Sequence, residues 1–358
     1  MKAIAFYLPQ FHTIPENDAW WGKGFTEWVN VRKAKPLFAG HLQPRLPLYD
    51  NYYDLSRPQT LRSQARLMNE YNVYGMCFYH YWFAGKLLLE KPAELLLANP
   101  DIPMNFCFSW ANEPWSRSWD GKKHQIIMPQ AYGSDADWRK HFDYLLPFFK
   151  DPRYIKEDNC PMFLIYKPQD IKCLSDMMAQ WEQLARRAGF NGMHFVDTLR
   201  GPYTELQGCH FKAHVEFEPV RTNMQQPPIL LNYKRLRRYW FKLVNRVFST
   251  HILLNKPFPF AEVANRSLLT PSPEGTYGGV FAGWDNSPRR GIEATIILPP
   301  TRDEFRNYLK AKIEQTSGEY HTDYIFINAW NEWAEGAVLE PDWQHGDMYL
   351  SVIKEVLS

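Results

Sequence analysis

Tyr324-Ile325-Phe326-Ile327-Asn328-Ala329-Trp330-Asn331-Glu332-Trp333-Ala334-Glu335-Gly336 is the stretch that decides the predicted fold. It begins with an apolar run of strand length and ends with two carboxylates, three residues apart, beside two tryptophans. In an α/β barrel the functional side chains lie at the carboxyl ends of the strands. A buried strand that runs directly into polar and aromatic residues is therefore typical of a barrel strand.

Seven other short apolar runs recur along the chain, separated by helical patterns or long loops. Together with the closing run they predict strands at 3–8, 73–79, 105–110, 162–166, 193–196, 213–217, 278–284 and 324–328. Eight such strands predict an α/β fold of the (β/α)8 TIM-barrel type, as one catalytic domain over residues 1–358. An open doubly wound sheet is the alternative. No GxGxxG follows the first strand, which disfavours the dinucleotide-binding version of that sheet.

Composition excludes several classes of protein. The chain has 41 basic and 39 acidic residues, so its net charge of +2 gives no support for a nucleic-acid partner. Five cysteines without a CxxC pair fit a reducing compartment. The first apolar run is too short for a signal sequence, and no run approaches the ~20 apolar residues of a membrane span. We therefore expect a cytoplasmic protein.

Metal and cofactor signals are weak. The eleven histidines show neither HExxH nor paired spacing, and no phosphate-binding glycine loop is present. We predict no bound metal and no cofactor.

Glu332 and Glu335 are the predicted catalytic pair. On a helical turn, residues three apart have Cβ atoms ~5–6 Å apart, which is compatible with the ~5–5.5 Å carboxyl separation of retaining glycosidases. One carboxyl of such a pair carries a proton and the other does not, and neighbouring aromatic rings can pack against sugars. The alternative is a solvated helix start, where Glu is also favoured. The flanking Trp330, Asn331 and Trp333 favour the catalytic interpretation.

A second candidate is Asn112-Glu113, which follows the third predicted strand. An Asn-Glu pair at a strand end is typical of the acid/base in many retaining barrel glycosidases. Taken alone, this pattern makes Glu113 the acid and a Glu near the last strands the nucleophile. The alternative is a loop glutamate that accepts hydrogen bonds from backbone donors.

Polar and aromatic residues at the other strand ends are the predicted substrate-binding residues. Because the carboxyl ends of all barrel strands lie on one face, these side chains are expected to meet in one pocket that takes an oligo- or polysaccharide. The set is Tyr7, Gln10, His12, Tyr79, His80, Trp82, Trp110, Asn112, Glu113, Lys167, Trp284, Asn331 and Trp333. Glu216 and Glu218 follow another strand and are expected to face the same pocket.

Residues 221–261 form a predicted basic amphipathic insertion within the barrel. No acidic residue occurs from Pro219 to Ala261, and basic residues alternate with apolar ones at helical spacing from Lys234 to Arg246. The segment is either a helix packed on the barrel with a solvated basic face, or a surface helix that contacts anionic lipid, an acidic glycan or a diphosphate. The lipid alternative predicts peripheral association with the inner membrane face through Lys234–Arg246.

Several motifs together resemble the WbsX-type family, whose members are found among bacterial lipopolysaccharide and capsule biosynthesis proteins, many described as glycosyltransferases. The motifs cover nearly the whole chain apart from the basic insertion. They are Ala5-Phe6-Tyr7-Leu8-Pro9-Gln10-Phe11-His12, Glu16-Asn17-Asp18, Gly22-Lys23-Gly24-Phe25-Thr26-Glu27-Trp28, Tyr52-Tyr53-Asp54-Leu55, Tyr79-His80-Tyr81-Trp82-Phe83, Trp110-Ala111-Asn112-Glu113, Gly283-Trp284-Asp285-Asn286 and Asn331-Glu332-Trp333-Ala334-Glu335-Gly336.

The closing motif also resembles the endo-α-mannosidase family of glycoside hydrolases, which are (β/α)8 barrels acting with retention. This resemblance implies that Glu335 is the general acid/base at the glycosidic oxygen. It implies that Glu332 acts as a base on the sugar 2-hydroxyl, whose oxygen attacks the anomeric carbon to form an epoxide-like intermediate. Glu113 would then bind substrate. Pro114, where many WbsX-type members carry Asn, keeps the acid/base alternative for Glu113 open.

Two functions follow as expectations. The first is a retaining glycoside hydrolase-like enzyme acting on α-linked sugars of a polysaccharide through Glu332 and Glu335. The second is a glycosyltransferase of lipopolysaccharide or capsular polysaccharide biosynthesis. The basic insertion favours the second, because lipid-linked acceptors lie at the membrane surface. The lack of a nucleotide-binding pattern favours the first.

Overall fold

The structure is a computed structural model that describes residues 1–117, 125–224, 228–248, 250 and 252–358, with the side chains of 117, 125, 224 and 228–235 outside the description. Its centre is a closed sheet of eight parallel strands. They are β1 (Lys2–Tyr7), β2 (Val73–Phe83), β3 (Asn105–Trp110), β4 (Cys160–Ile165), β5 (His194–Leu199), β6 (Ala213–Glu216), β7 (Thr276–Phe281) and β8 (Tyr324–Asn328).

The sheet closes because β1 pairs with both β2 and β8. Ala5 lies opposite Met76 on one side and opposite Ile327 on the other, and every neighbouring pair around the ring is parallel. Parallel barrel strands are covered on both faces, so they are nearly continuous apolar runs. The predicted (β/α)8 barrel is confirmed, and all eight predicted strand positions contain a barrel strand.

Helices and short hairpins surround this sheet. The helices are α1 (Pro15–Trp21), α2 (Glu27–Lys33), α3 (Pro58–Glu70), α4 (Lys91–Ala98), α5 (Asp135–Lys150), α6 (Leu174–Arg187), α7 (Val220–Met224), α8 (Pro228–Phe248), α9 (Phe260–Leu269), α10 (Ser287–Arg290), α11 (Arg302–Gly318) and α12 (Met348–Leu357). Antiparallel pairs join Lys86–Leu88 to β2, Trp115–Arg117 to Gln125–Met128, Lys156–Glu157 to β4, Trp284–Asp285 to Ile296–Ile297, and Asn331–Glu332 to Ala337–Val338. Within the described ranges, no helix is long and apolar enough to cross a bilayer.

Glu216 and Glu218 do not reach the pocket, contrary to expectation. The side chain of Glu216 is fully buried and accepts hydrogen bonds from Lys312 Nζ at 2.9 Å, Ser272 Oγ at 2.6 Å and the Gly279 backbone at 3.1 Å. Arg221 lies 3.3 Å from Glu216 and 3.8 Å from Glu218. Buried carboxylates need such partners, so these residues form a structural ion cluster. Arg221, the first residue of the predicted basic insertion, therefore belongs to the core.

Glu340 holds the aromatic residues of the closing motif in place. Its carboxyl group is buried and accepts four hydrogen bonds, from Trp330 Nε1 at 3.0 Å, Trp333 Nε1 at 2.8 Å, Gln64 Nε2 at 2.7 Å and Tyr53 OH at 2.8 Å. Burial raises the pKa of Glu340 to about 7, although these four donors oppose the rise. These hydrogen bonds thus fix the indole rings of Trp330 and Trp333 next to Glu332 and Glu335.

Gly336 closes the turn that carries the two carboxylates. The segment Trp333–Glu335 is a single 3-10 turn, and Gly336 follows it with a left-handed φ of 65°. A Cβ at this position would lie 2.8 Å from the backbone nitrogen of Asp285. Only glycine meets both requirements, so the motif turns sharply against the loop after β7.

We expect Glu340→Gln to lower the free energy of unfolding by about 1–3 kcal/mol, the cost of leaving a buried donor unsatisfied. Each carboxyl oxygen accepts from one indole N–H, and an amide can replace only one of the two acceptors. Whichever way the amide points, one tryptophan loses its partner. Urea unfolding at neutral pH measures the change.

Glu314→Gln is the matched control, because Glu314 is an exposed residue of α11. Its free energy of unfolding should stay within about 0.5 kcal/mol of wild type. Equal stability of the Glu340 and Glu314 variants would show that the four-donor network contributes nothing.

Candidate active site

A cleft of about 350 Å³ opens at the carboxyl ends of the barrel strands. Every strand from β2 to β8 contributes to it, either with its own last residues or with the loop that follows. Its walls are Tyr79, Tyr81, Ala111, Glu113, Pro114, Trp115, Tyr166, Arg200, Phe217, Val220, Trp284, Glu332 and Glu335. The volume and the mixture of aromatic and charged walls are typical of a small-molecule or oligomer site.

Arg289 joins the two glutamates of the closing motif. Its Nη1 donates to Glu335 Oε1 at 2.6 Å, and its Nη2 lies 3.4 Å from Glu332 Oε2. The same guanidinium contacts a third carboxylate, Glu27, at 3.2 Å. Three acidic groups therefore share one cation, and Glu332 and Glu335 both contact the same guanidinium.

The two carboxyl groups of the pair lie in different environments. Glu332 is buried, and this burial together with the nearby charge of Glu335 raises the pKa of Glu332 to about 8, while Arg289 opposes the rise. Glu335 is partly exposed to the cleft. Burial lowers the pKa of Arg289, but its three carboxylate neighbours outweigh burial and raise it, so the guanidinium stays charged. Two carboxyls that differ in this way suit acid/base chemistry.

Aromatic rings form the walls around the pair. Tyr81 and Trp115 meet edge to face with centroids 5.2 Å apart, and Tyr166 packs similarly against Phe217 at 5.1 Å. Burial raises the pKa of Tyr79 and of Tyr81, so both phenols are neutral hydrogen-bond donors. Flat faces and hydroxyl donors together are suited to the faces and oxygens of sugar rings.

Glu113 lies in the same cleft within a cluster of opposite charges. Its Oε1 pairs with Lys167 Nζ and lies 3.6 Å from Arg200 Nη1. The guanidinium of Arg200 stacks over Tyr166 at 4.4 Å. Lys167 and Arg200 also line a second cavity of about 480 Å³, which adjoins the first cleft at Arg200. The two cavities together offer more room than the first cleft alone.

The structure brings together five of the sequence-predicted residues at the cleft: Glu332, Glu335, Tyr79, Glu113 and Trp284. Lys167 adjoins them through its ion pair with Glu113. The others lie outside the walls of this cleft. They are Tyr7, Gln10, His12, His80, Trp82, Trp110, Asn112, Asn331 and Trp333.

Strand alternation explains why His80 and Trp82 lie elsewhere. Successive side chains of a strand point to opposite faces, so β2 directs Tyr79 and Tyr81 to the cleft and directs His80 and Trp82 outward. The ring of His141 on α5 lies 2.8 Å from His80 Nε2 and stacks on Trp82 at 4.5 Å. Burial lowers the pKa of His80 to about 3, so it is a neutral core residue.

The two predicted asparagines bind backbone instead of substrate. Asn112 is buried and exchanges two hydrogen bonds with the backbone of Lys167, each 2.8 Å long. Asn331 does the same with Leu8, at 2.7 and 3.0 Å. Both amides are thus occupied, and each ties a loop after one strand to the end of another.

The remaining five residues support the site from the core or from its edge. Tyr7 is buried and donates to Gln64 at 2.7 Å, and Trp110 donates to the Trp82 carbonyl at 3.2 Å. Trp333 donates to Glu340, as described above. His12 is buried, and the backbone carbonyl of Gln10 accepts from the backbone N–H of Glu27 at 3.0 Å. None of these five side chains lines the cleft.

Sequence reasoning missed Tyr81, Trp115, Tyr166, Arg200 and Arg289 as site residues. Tyr81 and Tyr166 could have been found, because alternation puts Tyr81 on the side of Tyr79 and Tyr166 ends a predicted strand. Arg289 comes four residues after Asp285 in a loop following β7, and no spacing rule marks it. In the part of the chain that the structure describes, no group of three or more His, Cys, Asp or Glu could hold a metal ion.

Comparison with solved structures reveals the same fold. The GH99 endo-alpha-mannosidase from Bacteroides thetaiotaomicron superposes with a TM-score of 0.56 at 17% identity, covering 99% of this chain and 96% of that one. A protein described as a glycoside hydrolase-like protein superposes with a TM-score of 0.60 at 12% identity, covering 99% and 93%. At such identities the likeness concerns the fold.

Comparison of sequences shows the family. Two proteins described as uncharacterized protein WxcX, from Xanthomonas campestris pv. campestris strains B100 and ATCC 33913, are each 40% identical over 358 residues. That match covers 99% of this chain, and the chain spans about half the length of these curated relatives, 49%. The family model described as Glycosyltransferase WbsX matches residues 3–353. This chain therefore belongs to the WbsX glycosyltransferase family.

Proposed function

We propose that this carbohydrate-active enzyme cleaves an α-linked glycosidic bond with retention, using Glu332 and Glu335 as its working pair. The observation that carries the proposal is the shared contact of both carboxyls with Arg289 inside an aromatic cleft. Retaining chemistry needs two carboxyl groups of different protonation on one bond. In the free protein, burial and the charge of Glu335 favour the proton on Glu332, so the proposed first step requires that proton to pass to Glu335.

Glu335 is the proposed acid/base at the glycosidic oxygen. It is the more exposed member of the pair and lines the cleft, so an incoming glycosidic oxygen can reach it. Its hydrogen bond to Arg289 fixes the direction of the carboxyl group. It gives its proton to the leaving oxygen in the first step and takes one from the acceptor in the second.

Glu332 is the proposed base at the 2-hydroxyl. A base with a pKa near the working pH combines ionisation with proton affinity, and the pKa of Glu332 is raised to about 8. Once ionised, it takes the 2-hydroxyl proton as that oxygen attacks the anomeric carbon and the leaving group departs. In-line attack needs the 2-oxygen and the leaving oxygen on opposite faces of the ring, as in α-mannosides. No enzyme nucleophile is required.

Transfer is the second candidate function, and the family match favours it. In the second step, water gives hydrolysis whereas a sugar hydroxyl gives a new glycosidic bond. The cavity beyond Lys167 and Arg200 offers room for such an acceptor. The proposed biological role of transfer is the building of a lipopolysaccharide or capsular polysaccharide.

We expect Glu335→Gln and Glu332→Gln each to lower kcat by about 10²–10⁴-fold, the usual contribution of a positioned acid or base. Both variants should still bind glycan, because the walls of the cleft are unchanged. Glu113→Gln is the matched comparison in the same cleft and should change mainly KM. If Glu113→Gln alone were inactive, the working pair would be misassigned.

The pH dependence of kcat/KM tests the role of Glu332. The proposed reaction uses one proton held by the pair, so activity should fall as pH rises through about 8 and Glu332 loses that proton. Glu27→Gln removes a carboxylate that raises the pKa of Glu332 and frees Arg289 for it, so this limb should move to lower pH. Arg289→Gln should move the limb to higher pH.

Glu314→Gln, on the surface of α11, is the control and should leave the limb in place. If the pH limb of kcat/KM is the same as in wild type for both the Glu27 and the Arg289 variants, Glu332 is not the group whose titration limits activity.

Product analysis decides between hydrolysis and transfer. Purified protein is incubated with a panel of α-glycans in buffer, with Glu335→Gln in parallel, and new reducing ends are measured. Ends released by wild type alone support hydrolysis and identify the linkage. If the panel stays intact but nucleotide-sugar or lipid-linked donors give wild-type-dependent transfer, the second candidate holds. No turnover under either condition would contradict both.

A further inference from the structure

The outer side of α8 carries more exposed large apolar side chains than any other element of the described residues. Six of the sixteen exposed large apolar side chains lie on this one helix. The outer face of α8 is defined by six exposed apolar residues, Leu236, Tyr239, Trp240, Leu243, Val247 and Phe248. Leu236 is 70%, Trp240 60% and Val247 62% exposed, and the spacing of these three and Leu243 places them along one stripe. A contiguous exposed patch of this kind marks an interaction site.

Polar contacts hold the opposite side of α8 to the protein. Asn245 accepts from the Ile252 backbone and from Thr250 Oγ1, at 2.8 and 2.7 Å, and donates to the Ile252 carbonyl at 2.8 Å. Arg237 donates to the Leu254 carbonyl. The helix is therefore fixed with its apolar stripe outward, so the exposure of the stripe is a property of the folded chain.

Charge complementarity points to the occupant. From Pro219 to Ala261 the sequence has no acidic residue, and Arg246 is exposed beside the apolar stripe. Apolar residues, Trp and Tyr together with cations on one helix are the signature of a helix that lies in the interface of an anionic bilayer. A second copy would bring the same basic face against itself, which like-charge repulsion opposes.

The position of α8 connects this surface to the cleft. The helix follows β6 in the chain, and the cleft opens at the carboxyl ends of the strands. Arg238 and Lys242 pair with Glu293 at 3.3 and 2.7 Å, and Glu293 belongs to the same loop as Arg289. A bilayer bound to α8 would lie beside the rim of the cleft.

We propose that the outer face of α8 binds an anionic phospholipid bilayer and holds the cleft at the membrane surface. A glycan anchored to a lipid of that bilayer is then the class of substrate that meets the cleft. This statement about the substrate rests on the proposed function, whereas the binding of lipid does not. The side chains of Lys234 and Arg235, which the sequence also assigned to this basic segment, lie outside the described residues.

Co-sedimentation of the full chain with vesicles tests the proposal without any enzymatic readout. Vesicles of phosphatidylcholine with one quarter phosphatidylglycerol should pellet the protein at 0.1 M salt, and pure phosphatidylcholine should not. Binding should weaken at 0.5 M salt, where charges are screened over shorter distances. Arg246→Gln should weaken binding about five-fold, the effect of one cation at an anionic surface. Trp240→Glu with Val247→Glu should abolish it.

Matched controls lie away from the helix. Leu269→Glu changes an apolar residue at the end of α9, and Lys140→Gln changes an exposed cation on α5; both should bind vesicles like wild type. Circular dichroism checks that each variant keeps its helices. If the double variant lost helix, Arg246→Gln would still test the proposal, since Arg246 is exposed and forms no ion pair in the described part of the chain.

Three outcomes would overturn the proposal. The first is no binding to either vesicle, and the second is equal binding to both with no effect of salt. In the third, the double variant binds vesicles as strongly as wild type, but light scattering shows a monomer where wild type is a dimer. That result would assign the outer face to contact with a second copy of the chain. If the double variant lost vesicle binding but kept normal glycan turnover, the result would support the membrane-binding surface independently of the catalytic proposal.

Discussion

The contact of one arginine with three carboxylates is the constraint on which the site depends. Glu27, Glu332 and Glu335 lie within 3.4 Å of the guanidinium of Arg289, in a region where burial penalises charge. Without the cation, several neighbouring carboxylates could not be ionised together, because like charges at this range raise each other's pKa. Arg289 therefore holds the proposed catalytic pair together and opposes the rise that burial and Glu335 give to the pKa of Glu332.

The surrounding structure converts that local contact into a rigid site. Glu27 comes from α2, Arg289 from the short helix α10 after β7 and the pair from the turn after β8, so three distant segments must converge. Asn331 ties this turn to the end of β1, and Glu340 fixes Trp330 and Trp333 beneath it. Buried polar groups with all their partners satisfied specify one arrangement, which is why so many conspicuous polar residues of the motifs are structural.

The fold and the pair could be predicted from the sequence, whereas much of the pocket could not. Apolar runs at strand length predicted all eight strands because parallel barrel strands are buried on both faces. The predicted binding residues divide at β2, where the sequence pattern assigns Tyr79, His80 and Trp82 alike to the pocket. Alternation allows Tyr79 and Tyr81 on the cleft side but sends His80 and Trp82 against His141. Asn112 and Asn331 resemble ligands for sugar in sequence, yet backbone groups occupy both.

The sequence by itself determined the (β/α)8 barrel, the family and the presence of two carboxylates beside tryptophans at the end of the last strand. These are local properties of composition and spacing. Only the tertiary structure decided which polar residues face the cleft, that Arg289 and Glu27 join the pair, and that the outer face of α8 stays uncovered. Those facts depend on contacts between residues hundreds of positions apart, such as Glu27 with Arg289, and no local pattern encodes them.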